Sequence, residues 1–84
     1  MRITLKLFAT LSAYLPAASR RAGLVELQTA PDTMVQALID QRGLPTRLCT
    51  LVLVNGLYVA PADLASCRLK EGDVLAIWPP VGGG

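Results

Sequence analysis

The residues best placed to do chemistry stand at the end of the chain, in Trp78-Pro79-Pro80-Val81-Gly82-Gly83-Gly84. Pro79 and Pro80 fix φ and favour extended polyproline geometry, which rises about 3.1 Å per residue and holds the last residues away from the body. Gly82, Gly83 and Gly84 carry no Cβ, so they can pass through a slot too narrow for other residues and take φ values that others avoid. The terminal carboxylate of Gly84 is the only reactive group in this segment. Such an end is suited to being threaded into a partner and modified at its tip.

The remaining residues offer little catalytic equipment. The chain has 84 residues and no histidine, which removes the usual general base, proton shuttle and commonest metal ligand together. Its six carboxylates, Glu26, Asp32, Asp40, Asp63, Glu71 and Asp73, each suit a turn, a cap or a solvated face. Glu71 and Asp73 flank Gly72 in Lys70-Glu71-Gly72-Asp73, which reads as a turn before it reads as an acid/base pair. Cys49 and Cys67 stand alone without a C-x-x-C pattern, so no metal site is expected. Cys49 opens an apolar run and should pack as a small hydrophobe; Cys67 sits in a polar stretch and should be partly exposed. The protein is therefore expected to serve as a substrate or binding partner and not as a catalyst.

Composition narrows the class further. One small domain is expected, burying roughly 60–65% of the unfolded chain's surface. The hydrophobic fraction is 52%, yet no apolar stretch approaches the ~20 residues that span a bilayer. Arg2 is followed at once by an alternating strand pattern and not by a secretory segment, so no membrane association and a cytoplasmic location are expected. A net charge of +2, with Arg20-Arg21 the only basic doublet, gives no stripe for nucleic acid.

The elements that must position the tail follow from periodicity. Ile3, Leu5 and Leu7 alternate with Thr4, Lys6 and Phe8, giving a strand with one buried side and an apolar residue closing its polar face. Thr10 to Leu15 suits a short helical turn ended by Pro16, and residues 17–23 a loop. Val25-Glu26-Leu27 is a second strand, paired back on the first. After Pro31, Asp32 or Thr33 can cap a helix whose stripe is Val35, Leu38 and Ile39, with Met34 a further candidate; Gly43 and Pro45 stop it. Cys49 to Val54 reads as an internal strand, Asn55-Gly56 as a tight turn into Leu57-Tyr58-Val59, and Asp73 to Trp78 as the last strand. The order ββαβββ, one helix on a mixed sheet, is the α+β β-grasp arrangement of ubiquitin. It places the first and last strands side by side, with a domain over residues 1–78 and an extended tail over 79–84 leaving the edge of a braced sheet.

The segment from Leu69 to Gly84 resembles the C-terminal signature of the MoaD/ThiS sulfur-carrier family: a Leu-x-x-Gly-Asp turn, an apolar strand, Pro-Pro-Val, one small residue, then Gly-Gly. Phe8-Ala9-Thr10-Leu11 and Val54-Asn55-Gly56-x-Tyr58-Val59 resemble the MoaD branch, the small subunits of molybdopterin synthase. Gly82 in place of the usual small residue is a departure that should not block threading. The resemblance implies that a ubiquitin-activating-type adenylating enzyme of the MoeB/ThiF kind activates Gly84 with ATP. A sulfur donor then converts it to a thiocarboxylate, and a MoaE-like large subunit takes the sulfur for the dithiolene that holds molybdenum or tungsten. The carrier itself would bind no cofactor. The alternatives are sulfur delivery to thiamin, thiolated tRNA or cysteine, and a ubiquitin-like modifier joined to proteins through the same tail.

Docking also needs a surface. In the last strand Leu75 and Ile77 share one face, and Val74, Ala76 and Trp78 the other. If the second set points outward, Trp78 joins Phe8 and part of Leu51 to Val54 in an exposed apolar patch, and Phe8, Trp78, Ala76 and Val74 are the expected partner interface. Otherwise Trp78 closes the bottom of the core.

Overall fold

Strand β1 (Arg2–Leu7) alternates as its sequence dictates, with Ile3, Leu5 and Leu7 buried and Arg2, Thr4 and Lys6 accessible, in a computed structural model that describes residues 1–80. The expectations placed on Val81, Gly82, Gly83 and Gly84 lie outside the described residues. Ala9 takes a positive φ of 50°, which breaks the strand immediately after Phe8. The chain then enters a 3₁₀ turn over Ala9–Tyr14 that buries Leu11. A second turn, Ala17–Ser19, occupies part of the segment expected as plain loop. Strand β2 (Leu24–Gln28) returns antiparallel to β1, with Leu24 opposite Lys6 and Gln28 opposite Arg2.

Helix α1 (Val35–Gln41) buries Val35, Leu38 and Ile39, the expected stripe. Its start corrects the sequence reading: Met34 is the N-cap and no side chain caps the helix. Thr33 donates its hydroxyl to the Ala30 carbonyl instead, and Asp32 lies in a turn with φ 63°. The first helical N–H groups donate to the carbonyls of Cys67 (2.9 Å) and Leu64 (2.9 Å), so tertiary acceptors take the place of a local cap. At the other end Gly43, with φ 71°, donates to Asp40, and Leu44 donates to Ile39. That is a Schellman closure, and the buried Leu44 anchors it.

Strand β3 is shorter than its apolar run, Leu51–Val54, because a 3₁₀ turn over Thr46–Leu48 draws Cys49 into its C-terminal cap. Asn55 (φ 51°) and Gly56 (φ 82°) both adopt left-handed backbone, the type I′ turn whose twist matches a hairpin, and lead into β4 (Leu57–Tyr58). Strand β5 (Val74–Trp78) completes a five-stranded mixed sheet in the order β2-β1-β5-β3-β4, parallel to β1 and antiparallel to β3. The first and last strands are neighbours, as expected, but the tail does not leave from the sheet's edge. It leaves from the central strand, whose last two carbonyls accept from Phe8 N–H (3.2 Å to Ile77) and Thr50 N–H (3.0 Å to Trp78).

One apolar core lies under one face of the sheet, joining Leu5, Leu7, Leu75, Ile77 and Val52 to Leu38 and Ile39 of α1 and to Leu11, Leu64 and Leu69. The beginning of β5 is locked by polar groups. The Asp73 carboxylate accepts from Asn55 Nδ2 and from the Lys70 N–H, both at 2.8 Å, while Asn55 Oδ1 accepts from the Val74 N–H at 2.8 Å. The neighbouring Glu71 carboxylate accepts from the Arg2 N–H at 3.1 Å. Both acids that flank Gly72 are thus engaged in holding β5 against β1 and the hairpin.

Asp73→Ala strands the Lys70 N–H and the Asn55 amide, a loss of about 2 kcal/mol. For a domain of this size that lowers the melting temperature by about 8–16 °C. Thermal unfolding followed by circular dichroism checks it; a shift within 2–3 °C of zero, read against about 4 °C per kcal/mol, would show that the lock is dispensable.

Candidate functional site

The two faces of β5 separate cleanly. Leu75 and Ile77 are fully buried against the core, so Val74, Ala76 and Trp78 point to the side away from it. The register extends this outer face across the sheet: Trp78 lies opposite Leu51, Ala76 lies between Lys6 and Leu53, and Tyr58 is opposite Leu53. Phe8, one residue beyond the Leu7–Ile77 pair, comes alongside Trp78. Their rings stack with centroids 4.0 Å apart and planes inclined by 3°. Both remain partly accessible.

Of the four interface candidates, Phe8 and Trp78 form the centre of an apolar surface. Ala76 is only 9% exposed and serves as its floor. Val74 shares the face but lies at the opposite end of the strand, roughly 13 Å from Trp78 at a strand's rise per residue, and is not brought to the stack. From the expected Leu51 to Val54 segment Leu51, 39% exposed, joins the surface, and Tyr58, 58% exposed, adds to it. Tyr58 was missed in the sequence reading. Its signal was the two-residue Asn55-Gly56 turn, which sets Tyr58 opposite Leu53 once the register is counted out.

The tail begins within this surface. Pro79 is half-buried and Pro80 exposed, and they continue directly from Trp78. Because φ is fixed at both prolines, the direction in which β5 ends is carried into the neck. Val81, Gly82, Gly83 and Gly84 come next in sequence and lie outside the described residues.

The cysteines take no part in this face. Cys49 is buried in the core and its thiol is pushed above the usual thiol range by burial, which suits the packing role expected of it. Cys67 is partly exposed and lines a depression of about 300 Å³ with Val54, Leu57, Val59, Arg68 and Lys70. Asn55 and Asp73 complete that depression, but their polar atoms are spent on each other and on the backbone. Among the described residues no helix is long and apolar enough to cross a membrane.

The comparisons agree with this architecture. The model of the ThiS family matches residues 6–84. No curated protein matches significantly in sequence. Among solved structures, the crystal structure of SAMP1 from Haloferax volcanii is similar at 31% identity with a TM-score of 0.67, covering 100% of both chains. The solution structure of the Haloferax volcanii HVO 2177 protein is similar at 27% identity and a TM-score of 0.71, over 100% of this chain and 87% of that one. A chain of the complex of subunits 1 and 2 of molybdopterin-converting factor from Helicobacter pylori shares the fold, with 19% identity, a TM-score of 0.59 and 100% coverage of both chains. The fold is therefore the ubiquitin-like β-grasp, as expected from the order of elements.

Trp78 is the sole tryptophan, so its fluorescence reports on the stack. Phe8→Ala exposes the indole face and should red-shift the emission while costing about 1 kcal/mol of stability. An unchanged emission maximum would mean that the two rings do not stack in solution.

Proposed function

Because the chain belongs to the ThiS family of ubiquitin-like carriers and modifiers, we propose that it is a cytoplasmic sulfur carrier, loaded at Gly84, that supplies the sulfur of the molybdopterin dithiolene. The observation that carries this reading is the placement of the neck: Pro79-Pro80 leaves β5 directly beside the partly accessible Phe8–Trp78 stack. One strand thus delivers both the docking surface and the reactive tail. The resemblance of Pro79-Pro80-Val81 and the terminal glycines to the MoaD signature supports the molybdopterin branch.

The chemistry demands little of the carrier. A carboxylate is a poor electrophile, so the adenylating partner lets the Gly84 carboxylate attack the α-phosphate of ATP, releasing pyrophosphate and leaving an acyl-adenylate. A sulfide-level donor then attacks the carbonyl carbon and AMP departs with the bonding pair, leaving a thiocarboxylate. The second partner, a MoaE-like subunit, receives the tail and passes the sulfur to the pterin precursor. Gly82 and Gly83 allow the close backbone approach that both slots require. Phe8 and Trp78 present a flat, preformed aromatic anchor, of the kind that commonly carries interface energy.

A second reading has its own observation. The relative at 31% identity is SAMP1, and a second crystal structure under its full name, small archaeal modifier protein 1, is similar at 28% over 95% of this chain. As a modifier, this chain would pass through the same adenylate, and a lysine amine would displace AMP to leave an isopeptide bond. Both products form on Gly84, so they are told apart by what is attached there.

Incubation with ATP, a sulfide donor and the adenylating enzyme of the same organism should raise the intact mass by one sulfur-for-oxygen exchange. Deletion of Gly84 should abolish the gain. Gly84–lysine linked peptides in place of that gain would favour the modifier. Trp78→Ala should weaken binding of the carrier to the activating enzyme by about 2 kcal/mol, close to thirtyfold, measured by calorimetry; unchanged affinity would remove the outer face from the docking surface.

A further inference from the structure

The charges of the domain are sorted along the direction of β5. Strands β1 and β5 finish, and β2 and β3 begin, at the end from which the neck emerges. Arg20 and Arg21 lie in the connection that enters β2, where the Gly23 carbonyl accepts from the Leu7 N–H at 3.0 Å. Arg42 caps the C-terminus of α1, and Arg47 stands in the turn three residues before Thr50, whose N–H donates to Trp78. Lys6, opposite Ala76, completes the set on the outer face beside the Phe8–Trp78 stack.

The opposite end holds the acids. Glu71 and Asp73 precede β5, Asp32 precedes α1, Asp63 lies beside the first turn of α1, and Glu26 faces Thr4 near the start of β1. Of eight basic and six acidic side chains, five cations and only Asp40 fall in the exit half, a formal +4. The other half, with three cations and five carboxylates, is a formal −2. Both ion pairs among the described residues, Arg2–Glu26 and Arg68–Asp32, belong to the acidic half. Arg20, Arg21 and Arg47 are exposed, and none of the exit cations is in an ion pair among the described residues.

We infer that this cationic collar docks on a protein surface whose carboxylates border the slot that receives the tail. The inference rests on the carrier reading. Residues 79–84 cannot span more than about 20 Å even fully extended, so a tail seated in a slot draws the exit end against the slot's mouth. Charges at that mouth then lie within a Debye length of the collar, about 8 Å at physiological salt. A net positive charge at one end and a net negative charge at the other also orient the domain during approach, turning the exit end toward an acidic opening before contact and raising the productive association rate. Only Lys6 shares the face of the aromatic stack, and the other cations lie in the connections at the exit end without interleaved aromatics, which favours a protein partner over nucleic acid.

The test uses Arg21→Glu/Arg47→Glu in the full chain, with Arg21→Lys/Arg47→Lys as a charge-keeping control and thermal melts to confirm folding. Carrier-dependent ATP–pyrophosphate exchange is followed with the adenylating enzyme of the same organism. At low salt, about 50 mM, the Glu variant should raise the KM for carrier about tenfold with kcat unchanged. The gap should close at about 500 mM, and the Lys variant should match wild type at both. Equal KM values for wild type and the Glu variant at low salt would overturn the collar while leaving the carrier reading intact. No exchange with wild-type protein would overturn the carrier reading and the collar with it. Binding of wild type to a short single-stranded RNA, lost in the Glu variant, would reassign the collar to nucleic acid and overturn the protein partner.

Discussion

Parallel strands cannot be joined by a tight turn, so pairing β1 with β5 at the centre of the sheet obliges every residue between them to wrap around the core and return. The rest of the molecule is shaped by that constraint. Helix α1 must pack on the buried face, the Asn55-Gly56 hairpin must extend the sheet beyond β5, and the segment after β4 must come back past the first turn of the helix before β5 can begin. The return is secured at its last step, where the Asn55 amide donates to the Asp73 carboxylate and accepts from the Val74 N–H, holding the start of β5 to the hairpin.

A central strand makes a stiff support for a functional end. Strand β5 is bonded on both sides, and Trp78 still has its carbonyl paired to the Thr50 N–H. The neck therefore begins from a fixed point and direction. The carboxylates at the turn before β5 are spent on backbone N–H groups and on Asn55, and burial pushes the Cys49 thiol up. In the proposed carrier the body is a platform, and the collar proposal has the uneven placement of its charges orient that platform on approach.

Some of this was legible in the sequence because short-range physics decides it. The alternation of Ile3, Leu5 and Leu7, the stripe of Val35, Leu38 and Ile39, the I′ turn at Asn55-Gly56 and the Gly43 stop all depend on neighbouring residues, and all were found. The helix start was misread because Asp32 and Thr33 are good caps only when nothing better is near. Here the carbonyls of Leu64 and Cys67, about thirty residues away, reach the same N–H groups. The start of β3 was misread because Cys49 and Thr50 look like strand but are drawn into a turn that brings Cys49 into the core.

The chain alone carried the signals on which the functional proposal rests: a palette without histidine, a proline neck and a glycine run depend only on residue type and order. It also determined that Trp78 shares a face with Val74 and Ala76, because side chains alternate along a strand whatever surrounds it. Only the tertiary structure decided which of the two faces meets the core. That choice set Trp78 beside Phe8, brought Leu51 and Tyr58 to the same surface, and gathered Arg20, Arg21, Arg42 and Arg47 from separate connections to one end. The reason is distance along the chain: these groups are neighbours only through strand pairings that close loops of tens of residues, and no local preference encodes such closures.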